Sequence, residues 1–192
     1  MTRVNQIWII FQNSICSCKG TCQTNTQFTA VKISETEFIL IFDQDQVAIY
    51  NVRSKFWTHL GYLRHRRVHS RAAFFKGKVI VTGGQFLDKS DDLPLTEIID
   101  LSRREIRPGG NLNFGRALHG MATVTINEEL KLITFGIQLF GNVQPYNPGK
   151  LIEVWNDEKE IWEVNENDGF RVDLVGIKFG YSTLTIPSYN FI

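Results

Sequence analysis

The chain has 192 residues, 43% hydrophobic and 21% charged, which suits one globular domain with a sizeable core. Its net charge of +1 excludes a strongly basic nucleic-acid binder and an acidic tail. No apolar run reaches the ~20 residues that span a bilayer, so neither nucleic acid nor membrane is expected as a partner.

Residues 1–27 read as an N-terminal segment with the pattern of one strand at Gln6–Gln12. The apolar core "IWII" (Ile7–Ile10) plus Phe11 is cut off by Gln12 and Asn13, too short for the apolar region of a secretory signal. The expected location is the cytoplasm. Cys16, Cys18 and Cys22 form C-x-C-x3-C. An odd number leaves one thiol over from any disulfide set, and no fourth ligand lies at zinc spacing, so reduced thiols and no metal are expected.

From Phe28 onward, short apolar runs alternate with turns. "FTAVKI" and "EFILIF" (Glu37–Phe42) lead into "VAIYNVRSKFW" (Val47–Trp57). "RAAFFK" from Arg71, a turn at Lys76-Gly77, "KVIVTGG" (Lys78–Gly84) and "TEIIDLSRREI" (Thr96–Ile106) follow in the same order. "MATVTI" from Met121, "KLITFG" (Lys131–Gly136) and "IEVWNDEKEIW" (Ile152–Trp162) repeat it, and "YSTLTI" from Tyr181 starts it again. The units run from about 28–60, 70–107 and 119–164, with a partial unit at 179–192.

The three longest segments align without gaps. Tyr50, Ile99 and Trp155 precede Asn51, Asp100 and Asn156, and Trp57, Ile106 and Trp162 follow at one fixed distance. Each is a β-hairpin in which the Asn or Asp side chain bonds the turn backbone ahead of it. The bulky apolar residue then packs the outer strand onto the sheet. The runs rich in small residues fit the innermost strand of each unit, where packing is tightest. An unrelated sandwich or barrel fits the strand density, but has no reason to repeat this spacing three times.

Four strands per unit at a period near ~50 residues is the pattern of one type of propeller blade. With Arg71, the pair Gly83-Gly84 after "VIVT", Asp100, Gly136, Tyr50, Trp57 and Trp162, the chain resembles the kelch-repeat family over roughly residues 28 to 192. It departs from the family at Ile106, where a tryptophan is usual, at Ile137 in place of a second glycine, and at Phe42-Asp43 in place of both. The resemblance implies an all-β fold of kelch-type β-propeller blades, each of four antiparallel strands, in an incomplete ring. A ring commonly has 4–8 blades. Three ways to manage the open ends remain: a longer gene product, the N-terminal segment packed over the open side, or assembly with copies of itself or a partner into a closed ring. A blade built from both termini, pairing Gln6–Gln12 with 179–192, is the closure device the resemblance implies.

Catalysis is not expected. There is no nucleophile elbow, phosphate loop or dinucleotide fingerprint, and no cofactor is called for. His69 and His119 fall at matching places before two inner strands, as repeat residues do, and Asp91-Asp92 lacks the spacing of a calcium loop. A copper site of the kind found on some kelch scaffolds needs a cysteine near the ring centre, and all three cysteines precede the repeats.

What remains is a face. In a meander, the loops after the second and the outer strands emerge together, and loops on a rigid scaffold carry binding. These loops hold Tyr62, Phe86, Phe114, Phe140 and Tyr146, together with the basic run Arg64, His65, Arg66 and Arg67. With Arg71 and Arg116 the run is expected to form a basic pocket suited to an acidic peptide, since arginine forks pair with carboxylates; the alternative is a solvated loop neutralised by Asp88, Asp91 and Asp92 across the same face. The expected role is a non-catalytic protein-binding scaffold or substrate adaptor, as the resemblance implies. A remnant of a longer kelch protein without its own partner, and an enzyme on a propeller scaffold, are the alternatives.

Overall fold

The computed structural model describes residues 28–42, 45–87, 91–126, 128–136 and 152–165. They form twelve strands: β1 (Phe28–Lys32), β2 (Glu37–Phe42), β3 (Gln46–Asn51), β4 (Phe56–Tyr62), β5 (Arg71–Phe75), β6 (Lys78–Thr82), β7 (Thr96–Asp100), β8 (Glu105–Pro108), β9 (Gly120–Ile126), β10 (Glu129–Phe135), β11 (Glu153–Asn156) and β12 (Ile161–Val164). They pair antiparallel as three four-stranded meanders, β1-β2-β3-β4, β5-β6-β7-β8 and β9-β10-β11-β12. The fold is all-β, the sheets stack as blades, and the ring is not closed among the described residues. The strand expected at Gln6–Gln12, the cysteines and the partial unit at 179–192 lie outside them.

The turns follow from local chemistry. Asn51 Oδ1 accepts the backbone N–H groups of Arg53 and Ser54, and Asp100 Oδ1 accepts those of Ser102 and Arg103. Asn156 Oδ1 accepts that of Lys159. Each tip then needs one left-handed residue to return the chain, supplied by Lys55, Arg104 and Glu160 at φ 57, 55 and 53°. The tighter β5–β6 turn places Lys76 and Gly77 at φ 45 and 80°, the geometry whose twist matches paired strands.

Side-chain alternation then builds the stack. Along β6, Val79 and Val81 face the first sheet, where they join Val31, Ile39, Ile41, Val47 and Ile99. Ile80 faces the third sheet and joins Phe75, Ile98, Met121, Leu132, Trp155 and Trp162. A strand buried on both faces has no polar side, which is why "VIV" reads as an unbroken apolar run. The first strands of successive sheets, β1, β5 and β9, are neighbours. Thr29 Oγ1 donates to Ser70 O, and one blade further on Arg71 Nε donates to His119 O. The blades are therefore joined at their inner edges and through both cores.

Candidate functional site

Three connections share one face of the stack: residues 63–70 between β4 and β5, 83–87 and 91–95 between β6 and β7, and 109–119 between β8 and β9. Backbone bonds tie them together. Val68 and Gln85 exchange N–H···O bonds of 2.9 Å each, Gly84 N donates to Arg116 O at 2.7 Å, and Arg116 N donates to Leu93 O at 3.1 Å. The glycine pair makes this crossing possible. Gly83 and Gly84 sit at φ 64 and 100°. A Cβ on Gly83 would collide with Arg116 O and His119 Cε1, and one on Gly84 would lie 2.6 Å from Val68 O. The loop after β6 thus passes between the two inter-blade loops with backbone alone.

Beneath the face lie two buried ion pairs. Arg67 Nη2 donates to Glu97 Oε1 at 3.1 Å, and Arg67 Nη1 donates to Leu95 O at 3.0 Å. The other carboxylate oxygen of Glu97 accepts Arg64 N at 2.7 Å. One blade further on, Arg116 Nε and Nη2 donate to Glu153 Oε1 at 3.2 and 3.0 Å, and Arg116 Nη1 donates to Gly136 O at 2.7 Å. Glu153 Oε2 accepts Asn113 N at 2.6 Å. A charge pair removed from water needs its remaining donors and acceptors filled; backbone groups fill most of them here, while Arg67 Nε has no partner among the described residues. Desolvation lowers the Arg67 pKa, and the Glu97 carboxylate works against that shift.

This corrects the basic pocket expected from sequence. Arg67 and Arg116, exposed by only 3% and 0%, present no guanidinium to solvent. Arg71 is half-buried and bonded to His119 O. Long cations beside aromatic loop residues look like binding groups in sequence, and their acidic partners sit about 30 to 37 residues away. The aligned hairpins held a signal for those partners: Ala48, Glu97 and Glu153 occupy one position, and a glutamate inside an apolar strand calls for a buried cation.

Arg64, His65, Arg66 and Phe86 do come together, joined by Leu87, around an open groove of about 400 Å³. Leu87 is 59% exposed and carries no signal in the sequence that marks it as a site residue. His65 Nδ1 lies 3.8 Å from Glu97 Oε1. Tyr62 stands apart, exposed at the end of β4 with its ring edge-on to His59. Phe114 lies on the next inter-blade loop, with the Arg116 guanidinium 5.9 Å from its ring centre. Phe140 and Tyr146 lie outside the described residues.

His119 is fully buried, with Nε2 2.9 Å from Thr82 Oγ1. Burial first, then the charges of Arg116, Arg71 and Arg67, push its pKa well below the ordinary 6.5. It is a neutral packing residue. Among the described residues, no group of three or more His, Cys, Asp or Glu side chains is placed to hold a metal ion. Nor is any helix among them long and apolar enough to cross a membrane.

No family model and no curated protein matches the sequence. Among solved structures, the chain is similar to that of YjhT, with a TM-score of 0.55 and 11% sequence identity. The likeness covers 73% of this chain and 52% of that one, so the matched region spans about half the length of that neighbour. At this identity it shows the fold alone.

Proposed function

We propose that the chain is a kelch-type propeller segment acting as a non-catalytic, cytoplasmic protein-interaction module. It takes an acidic peptide segment of its partner in the groove formed by Arg64, His65, Arg66, Phe86 and Leu87. The observation carrying this reading is the contrast between two kinds of arginine on one loop. Arg67 is consumed by Glu97, whereas the exposed Arg64 and Arg66 side chains form no ion pair among the described residues. Two cations beside exposed apolar carbon suit a carboxylate-bearing segment, because guanidinium forks pair with carboxylates while Phe86 and Leu87 shed water.

The test is binding of a glutamate-rich peptide to the full chain by fluorescence anisotropy, at low and at physiological salt. Binding weakened by salt and lost in Arg64→Glu/Arg66→Glu, with an unchanged melting temperature, supports the reading. Binding that survives the double substitution overturns it. Self-association to complete the ring is a separate expectation, which light scattering on the purified chain decides. A mass of 22.1 kDa argues against it, and a discrete multiple supports it.

A further inference from the structure

The two inter-blade loops are held by one device. Glu97 receives Arg64 N and Arg67, and Glu153 receives Asn113 N and Arg116, at the same three-residue spacing. Position for position, Arg64-His65-Arg66-Arg67 corresponds to Asn113-Phe114-Gly115-Arg116. The last member is buried in both loops, whereas His65, Arg66 and Phe114 are exposed and Gly115 packs against Asp92. Phe114 therefore holds, one blade further on, the place His65 holds in the groove. It keeps 37% of its surface exposed.

The second site differs from the first in chemistry. Both outward cations are replaced, by Asn113 and Gly115. A side chain at Gly115 is excluded, because its Cβ would collide with Asp92 O. That contact also makes the two sites neighbours. Asp92 belongs to the loop that carries Phe86 and Leu87, and its Oδ1 accepts Gln85 Nε2 at 2.8 Å. The same loop accepts Leu112 N on Pro94 O at 2.7 Å. The loop carrying Phe86 and Leu87 thus touches, through Asp92 and Pro94, the loop that carries Phe114.

Resting on the reading above, we propose that the partner is an extended peptide spanning both sites. An acidic residue sits at Arg64 and Arg66, and an aromatic or large aliphatic side chain packs on Phe114. Phe114 is then the specificity-determining residue that distinguishes this partner from any other acidic segment.

The experiment titrates the full chain with synthetic peptides in which a pair of glutamates is joined to a phenylalanine through glycine–serine spacers of several lengths, in both orders. Matched peptides carry alanine in place of the phenylalanine. At least one spacer and order is expected to bind about tenfold more tightly with phenylalanine than with alanine, the gain an aromatic contact supplies. Phe114→Ser should abolish that advantage and leave the alanine peptides unaffected. Arg64→Glu/Arg66→Glu should remove both. If phenylalanine adds nothing to binding by the parent chain, or its advantage survives Phe114→Ser, the two-site proposal falls and the acidic groove stands. If the glutamates contribute nothing, or the arginine substitutions change nothing, the groove falls as well.

Discussion

The junction between the first two blades and the junction between the second and third share a backbone plan and differ in filling. The buried members of the first are aliphatic throughout: valines, isoleucines, Leu63 and Ala72. The second holds Phe75, Met121, Trp155 and Trp162, with the two indoles 5.2 Å apart and Trp162 Nε1 donating to Thr96 Oγ1 at 3.0 Å. Ion pairs also cross it. Glu160 takes a bidentate pair from Arg107 and another from Lys78, which also reaches Asp157. Ile106 stands in the first junction where Trp162 stands in the second. The difference teaches that stacking depends on alternation and the hairpin frame, whereas the identity of the filling residue is free within a volume limit.

The largest effect should come from the buried carboxylates. Glu153→Ala leaves the Arg116 charge buried without its partner, which costs about 3–5 kcal/mol. Glu97→Ala is expected to cost less. Arg116 uses two nitrogens on Glu153, whereas Arg67 uses one on Glu97 and its Nε has no partner among the described residues. Urea unfolding of both variants checks this, and a cost below about 1 kcal/mol for Glu153→Ala would refute the burial argument. The equivalence of the loops is sharpened if the ranking holds and broken if it reverses.

Next come the glycines. Alanine at Gly77, φ 80°, meets nothing within 4 Å, so it should cost only the left-handed penalty of about 1–2 kcal/mol. Alanine at Gly83 adds a collision with the Arg116 carbonyl and should be clearly worse. Equal melting temperatures for the two variants would mean that the loop after β6 can move away from the inter-blade loop.

The smallest effects are in pH. Arg107 hydrogen bonding, then Lys78, lowers the Glu160 pKa from 4.5 to about 2. A carboxylate with a depressed folded pKa stabilises fully above its unfolded value, and that contribution is lost as pH falls from 4.5 towards 2. Partial exposure of these side chains keeps the effect modest. His119 is depressed too, so the unfolded chain takes up its proton first and stability declines as pH drops below 6.5. Urea midpoints measured against pH should flatten below 4.5 in Glu160→Gln and just below 6.5 in His119→Gln. Parental slopes retained in both variants would show that neither group titrates as described.

Legibility differed between fold and site. The spacing from Asn51, Asp100 and Asn156 to Trp57, Ile106 and Trp162 exposed the hairpins, because a turn cap and its packing residue are near neighbours in the chain. The groove is half legible: Arg64, His65, Arg66 and Phe86 lie on two loops that the meander order puts on one face, whereas no pattern in the sequence marks Leu87 beside them. The burial of Arg67 and Arg116 is not legible in the loop sequence, because their environment is set from 30 and 37 residues away.

Strand alternation, the turn chemistry and the repeat were determined by the sequence itself, since each acts over a few residues. Tertiary structure alone decided which arginines became buried structural groups and which stayed exposed. It also decided that Phe114 stands one blade from the cationic groove, on a loop that touches the one carrying Phe86 and Leu87. A guanidinium's role depends on whether a carboxylate meets it out of water, and that meeting exists only after the blades have stacked.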